Sequence, residues 1–98
     1  MIRHVVMFRW NEGVDDAHVA ATTAAFERLP SLIPHIVSFA YGRDLGVVAT
    51  NYDYAVTGEF ESVDEFLAYR DHPDHQALVQ AYIAPHVSER IAVQFTVG

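Results

Sequence analysis

The sequence predicts one α+β domain, residues 1–98, with the element order β-α-β-β-α-β. Three of the four strand-like segments alternate with period two, and the two stretches that separate the first and second pairs show helical spacing and capping chemistry instead. The chain has 98 residues, 51% of them hydrophobic, so it can bury one core and has no room for a second.

The first strand is expected over Ile2 to Trp10. Ile2, His4, Val6, Phe8 and Trp10 share one face, and Arg3, Val5, Met7 and Arg9 the other. Asn11-Glu12-Gly13 is turn chemistry. Asp15 or Asp16 can cap a helix running to about Leu29, with Val19, Thr22 or Thr23, Phe26 and Leu29 on its buried stripe. Pro30 and Pro34 bracket a connection whose Leu32 and Ile33 are expected to plug the core.

Ile36 to Tyr41 reads as the second strand, with Gly42 beginning the exit and a loop from Arg43 to Asn51. Tyr52 to Phe60 is the third, with Tyr52, Tyr54, Val56 and Phe60 on one side and Gly58 a point of bulge or close approach. Ser62-Val63-Asp64-Glu65 is a capping box, in which the Ser62 hydroxyl caps and Glu65 reaches back. The helix it starts buries Phe66 and Tyr69. It breaks near His72-Pro73, where proline suits the first turn of a second piece reaching about Ala84. Ile91 to Val97 is the last strand.

Two right-handed split βαβ crossovers turn this order into a ferredoxin-like four-stranded antiparallel sheet with both helices on one face. The other face still carries Val5 and Met7, so a second identical sheet is its expected cover and the chain is expected to be a homodimer. Trp10, Tyr41, Tyr52, Tyr54 and Tyr82 are assigned to core and dimer contacts.

The net charge is −7, from 13 acidic and 6 basic residues, and the arginines do not cluster; this disfavours nucleic acid and anionic lipid as partners. Without cysteine there is neither a disulfide nor a thiolate metal site. Met1 to His4 leads straight into a strand, which predicts no secretory leader, and no apolar run approaches bilayer length. A cytoplasmic protein is expected. Phosphate-binding loops, serine-nucleophile motifs and HExxH are missing, so neither ATP-dependent nor hydride chemistry is indicated and no cofactor is expected. His72 and His75 stand three apart, yet no third ligand lies at a spacing that closes a metal site, and His72 is read as a solvated or capping residue. His18, His35 and His86 are read as surface or loop residues.

A histidine in the first strand, a glycine after the second, an aromatic-rich third strand and the stretch Phe60 to His75, FESVDEFLAYRDHPDH, resemble the stress-responsive A/B barrel (Dabb) family over nearly the whole chain. The resemblance implies a dimeric α+β barrel. It is similar, within that family, to plant polyketide cyclases of the olivetolic acid type, which close a ring by aldol chemistry in a pocket between sheet and helices. Their key polar residues match His4, Tyr69 and His75. On that resemblance His75 is the expected general base, Tyr69 the stabiliser of the enolate and His4 the residue that orients one of them or the substrate. Val6, Phe8, Phe26 and Phe66 are the expected apolar walls for a small ligand. The residues allow other roles as well: a core tyrosine whose ring fills space, a structural histidine in an apolar stripe, and a His75 that caps the kinked helix. The alternatives at the level of function are a non-catalytic, ligand-binding or stress-associated dimer, and a haem-handling monooxygenase of the same architecture.

Overall fold

Alternation in the first strand sorts the whole molecule into two sides. In a computed structural model describing residues 1–98, β1 (Ile2–Trp10), α1 (Asp16–Leu32), β2 (Ser38–Arg43), β3 (Tyr54–Phe60), α2 (Val63–Asp71), α3 (Pro73–Leu78) and β4 (Val87–Thr96) follow in order, and a π-helical turn, Val79–Ile83, extends α3. The sheet is antiparallel with strand order β2-β3-β1-β4. This is the expected ferredoxin-like α+β fold. His4, Val6 and Phe8 are buried under the helices with Tyr54, Val56 and Phe60 of β3. From α1 come Val19, Thr22, Ala25, Phe26 and Leu29.

Caps form where the sequence places them. The Asp15 carboxylate accepts from the His18 amide at 2.9 Å, and the Ser62 hydroxyl accepts from the Glu65 amide at 3.2 Å. The return half of the expected capping box does not form, because the Glu65 carboxylate is drawn across to the His35 ring. Gly58 is a point of close approach: a Cβ there would meet the Phe39 and Phe60 rings at 3.2 Å.

Several boundaries differ from the sequence reading. Helix α1 continues through Pro30 to Leu32; the Ile33 amide closes the last turn on the Leu29 carbonyl at 2.9 Å. Of the expected plug, Ile33 is fully buried and Leu32 is 48% exposed, since adjacent residues on a helix end cannot both face the core. The second strand is shifted toward the C-terminus and takes in Gly42 and Arg43, which pair with Ala55 and Tyr54.

The third strand starts at Tyr54, because the Asp53 carboxylate takes the Trp10 amide at 2.9 Å and ends the regular ladder there. Tyr52 consequently does not share the side of Tyr54. Its ring lies under the Arg9 guanidinium and its hydroxyl donates to Glu89 at 3.1 Å, on the open face. The last strand begins four residues early, at Val87, and ends at Thr96.

All three histidines assigned to the surface have defined partners: His35 pairs with Glu65, and His18 and His86 pack together. The His18 ring packs against His86 at 3.9 Å between centroids, and its Nε2 donates to the Tyr82 carbonyl at 3.0 Å.

The open face carries Val5, Met7, Ile91, Val93 and Phe95, with Val5 opposite Val93 and Met7 opposite Ile91. Ile91, Val93 and Phe95 are 49%, 55% and 43% exposed, an apolar stripe that nothing in this chain covers. No helix is long and apolar enough to cross a membrane.

Candidate functional site

The helices pack over β1, β2 and β3 and leave the edge strand β4 bare. Where that cover stops, a cavity of about 690 Å³ opens. Its sheet side is built from β1 and from the helix-facing row Ser88, Arg90, Ala92 and Gln94 of β4. Val6, Phe8, Phe26 and Phe66 form apolar wall, joined by Val79 and Ile83 of the π-helical turn. A π turn displaces side chains from the regular helical path, and such turns recur where a helix borders a site. His4, Tyr69 and His75 line the same cavity, so all seven residues singled out from the sequence meet there.

The break between α2 and α3 positions His75. Helix α2 ends at Asp71, His72 caps α3 by accepting from the Asp74 amide at 3.1 Å, and Pro73 takes the first helical position. This leaves the Arg70 carbonyl as an acceptor at the end of α2, and two side chains satisfy it: the His75 ring at 2.9 Å and the Gln76 amide at 2.7 Å. A carbonyl only accepts, so Nδ1 of His75 carries the proton and Nε2 of the neutral ring keeps its lone pair. Burial lowers the His75 pKa from the ordinary value; the bond to Arg70 pulls it back up in part, and the Arg90 guanidinium adds to the lowering.

His4 has the opposite tautomer. The Gln94 side-chain amide donates to its Nδ1 at 2.8 Å, which puts the proton of the neutral ring on Nε2. Burial pushes its pKa down to about 4, and the charges of Arg90 and His75 act in the same direction. Its ring packs on Phe66 at 4.8 Å between centroids.

Tyr69 is 2% exposed, with its ring 4.4 Å from that of His75, 4.8 Å from Phe60 and 6.4 Å from His4. Its contact with His75 is ring against ring. The hydroxyl makes no hydrogen bond within the chain and is not sealed off by protein. Burial raises its pKa above the ordinary tyrosine range, so it stays a donor at neutral pH. The site at pH 7 thus offers one imidazole lone pair, one imidazole N–H and one phenol O–H, all in an apolar setting.

His72 and His75 each bond a different backbone group through Nδ1, the Asp74 amide and the Arg70 carbonyl. No group of three or more ligating side chains gathers anywhere in the chain. Arg90 and Gln94 belong to the site and escape the sequence reading, which starts the last strand at Ile91. The signal that finds them is register: Val87 to Thr96 pairs with β1, so Arg90 falls opposite Phe8 and Gln94 opposite His4.

Residues 2–97 match the family described as Stress responsive A/B Barrel Domain. An uncharacterized protein of Streptomyces coelicolor is 33% identical over 79 residues, covering 79% of this chain and 81% of that protein. Among solved structures, a dimeric ferredoxin-like protein of unknown function from Thermobifida fusca is 46% identical, with a TM-score of 0.91 over 98% of this chain and 90% of its own. Hydroxynitrile lyase from Passiflora edulis is similar in fold at 19% identity, TM-score 0.84, over 99% of this chain and 93% of its own. An antibiotic biosynthesis monooxygenase is similar in fold at 11% identity, TM-score 0.79, over 100% and 99%.

Proposed function

The chain belongs to the stress responsive A/B barrel domain family, and we propose that it works as a homodimer with one apolar cavity per subunit, closing or cleaving carbon–carbon bonds in a small, polyketide-like carbonyl compound without a cofactor. The observation that carries this reading is the tautomer of His75, a neutral ring whose Nε2 lone pair is free beside an apolar cavity.

In the forward direction Nε2 removes a proton from a carbon flanked by carbonyls. The electron pair moves onto the carbonyl oxygen, which the Tyr69 hydroxyl and the His4 Nε2–H stabilise as an enolate. The nucleophilic carbon then attacks a second carbonyl carbon, and the resulting alkoxide takes the proton back from the His75 imidazolium. The same groups run the reverse cleavage.

Homodimerisation is supported by the apolar stripe of the open sheet face and by the dimeric Thermobifida fusca protein. The expected cytoplasmic location fits an acidic chain without cysteine.

The test is turnover of 1-phenyl-1,3-butanedione and longer poly-β-ketones, followed by mass spectrometry of the products. His75→Ala is expected to lose at least about a hundredfold in kcat/KM, and Tyr69→Phe a comparable factor. If both variants turn over every compound like the wild type, His75 and Tyr69 are not catalytic. If ligands bind without being converted, the non-catalytic binding protein is the better description.

A further inference from the structure

Three charged residues line the cavity, and two are already engaged. Arg70 is tied to the Asp71 carboxylate by contacts of 2.9 and 3.1 Å. Glu89 turns to the open face, where Arg9 at 3.4 Å and the Tyr52 hydroxyl at 3.1 Å hold it. Arg90 has no ion pair and no hydrogen bond within the chain. It sits opposite Phe8, on the helix-facing side of β4 and away from the apolar stripe. In a chain with 13 acidic residues against 6 arginines and a net charge of −7, most cations have an acid beside them, and Arg3, Arg9, Arg43 and Arg70 do. Arg90 does not.

We propose that the cavity takes an amphipathic anion, a carboxylate-bearing ligand whose head pairs with Arg90 and whose apolar body lies along Val6, Phe8 and Phe66. The planar guanidinium fork matches a carboxylate in bidentate geometry, and next to apolar walls that pair is worth more than in water. The neighbouring polar groups do not oppose it: His4, Tyr69 and His75 are all uncharged at neutral pH, and no carboxylate faces Arg90 across the cavity. Its charge reaches all three of them. For the reaction this deepens the carbonyl chemistry above, on which it rests, by naming a keto acid as the substrate class; the binding claim stands apart from catalysis.

Isothermal titration of the protein with octanoate and octanamide at low ionic strength tests it. These ligands share an apolar tail and differ in charge. Octanoate is expected to bind at least about tenfold more tightly than octanamide, and Arg90→Gln to abolish the difference. Arg28→Gln, on the exposed side of α1, removes an equal charge elsewhere and is expected to keep it. His75→Ala is expected to keep the preference too, since it spares Arg90 while removing the base. Equal binding of the two ligands, a preference that survives in Arg90→Gln, or no binding of either at millimolar concentration overturns the proposal. Charge-blind binding with intact turnover of neutral diketones defeats the anion site alone. A carboxylate preference without turnover defeats the catalytic reading alone.

Discussion

His4 and His75 are two imidazoles in one cavity with mirrored protonation, and the difference comes from a single partner each. A side-chain amide donates to His4, and a main-chain carbonyl accepts from His75. Because burial keeps His75 neutral below its ordinary pKa of 6.5, kcat/KM is expected to be flat at neutral pH and to fall only as pH drops through a midpoint below 6.5. On the alkaline side the Tyr69 hydroxyl holds its proton beyond the ordinary value of 10, so no loss is expected before that region.

His4 also makes stability depend on pH. Its folded-state pKa of about 4 lies below the unfolded 6.5, so the unfolded chain binds the proton first as pH falls. Stability is then complete above pH 6.5 and declines toward pH 4, by up to about 3 kcal/mol. Guanidinium unfolding at pH 7 and pH 4.5 measures this, and His4→Gln is expected to flatten most of the slope. None of these protonation preferences can be read from the sequence. His4 in an apolar stripe and Pro73-Asp74-His75 at a helix start identify candidates, and the partners that set the tautomers lie 90 residues away in one case and across a helix break in the other.

At the scale of elements, pattern locates what is strongly periodic. Ile2–Trp10 alternates without interruption and its bounds agree with the structure to the residue. The start of β4 does not show in its residues. Val87-Ser88-Glu89-Arg90 has little apolar alternation, and it is strand because β1 beside it supplies the hydrogen-bonding edge. That boundary leaves out Arg90, whose charge acts on the candidate base.

The break between α2 and α3 is legible from Pro73, whereas the π turn that follows has no sequence signature. Two element-level outcomes are expected. Ser62→Ala removes the hydroxyl that caps α2 and lowers stability by about 1 kcal/mol in denaturant unfolding. Gly58→Val forces a branched side chain between Phe39 and Phe60, which back the Tyr69 ring, and costs about 2 kcal/mol together with altered near-UV dichroism.

The whole molecule has one sheet with two unlike faces. Helices cover one face incompletely and leave the cavity beside β4; the other presents an apolar stripe that a second copy would bury. Covering that stripe is the expected reason for dimerisation, so Met7→Asp with Val93→Asp should give a monomer in analytical ultracentrifugation where the wild type sediments as a dimer. Charges facing one another across a sheet-to-sheet contact lose hydration without gaining partners. On the other side of the sheet, the cavity holds the free Nε2 of His75 as the proposed base. The most direct measurement is exchange of the methylene protons of 1-phenyl-1,3-butanedione in heavy water, followed by proton NMR with wild type and His75→Ala. It reads proton abstraction alone, independent of any later bond formation. The wild type is expected to accelerate exchange at least about a hundredfold over His75→Ala; equal rates for the two proteins would contradict the assignment of His75 as the base.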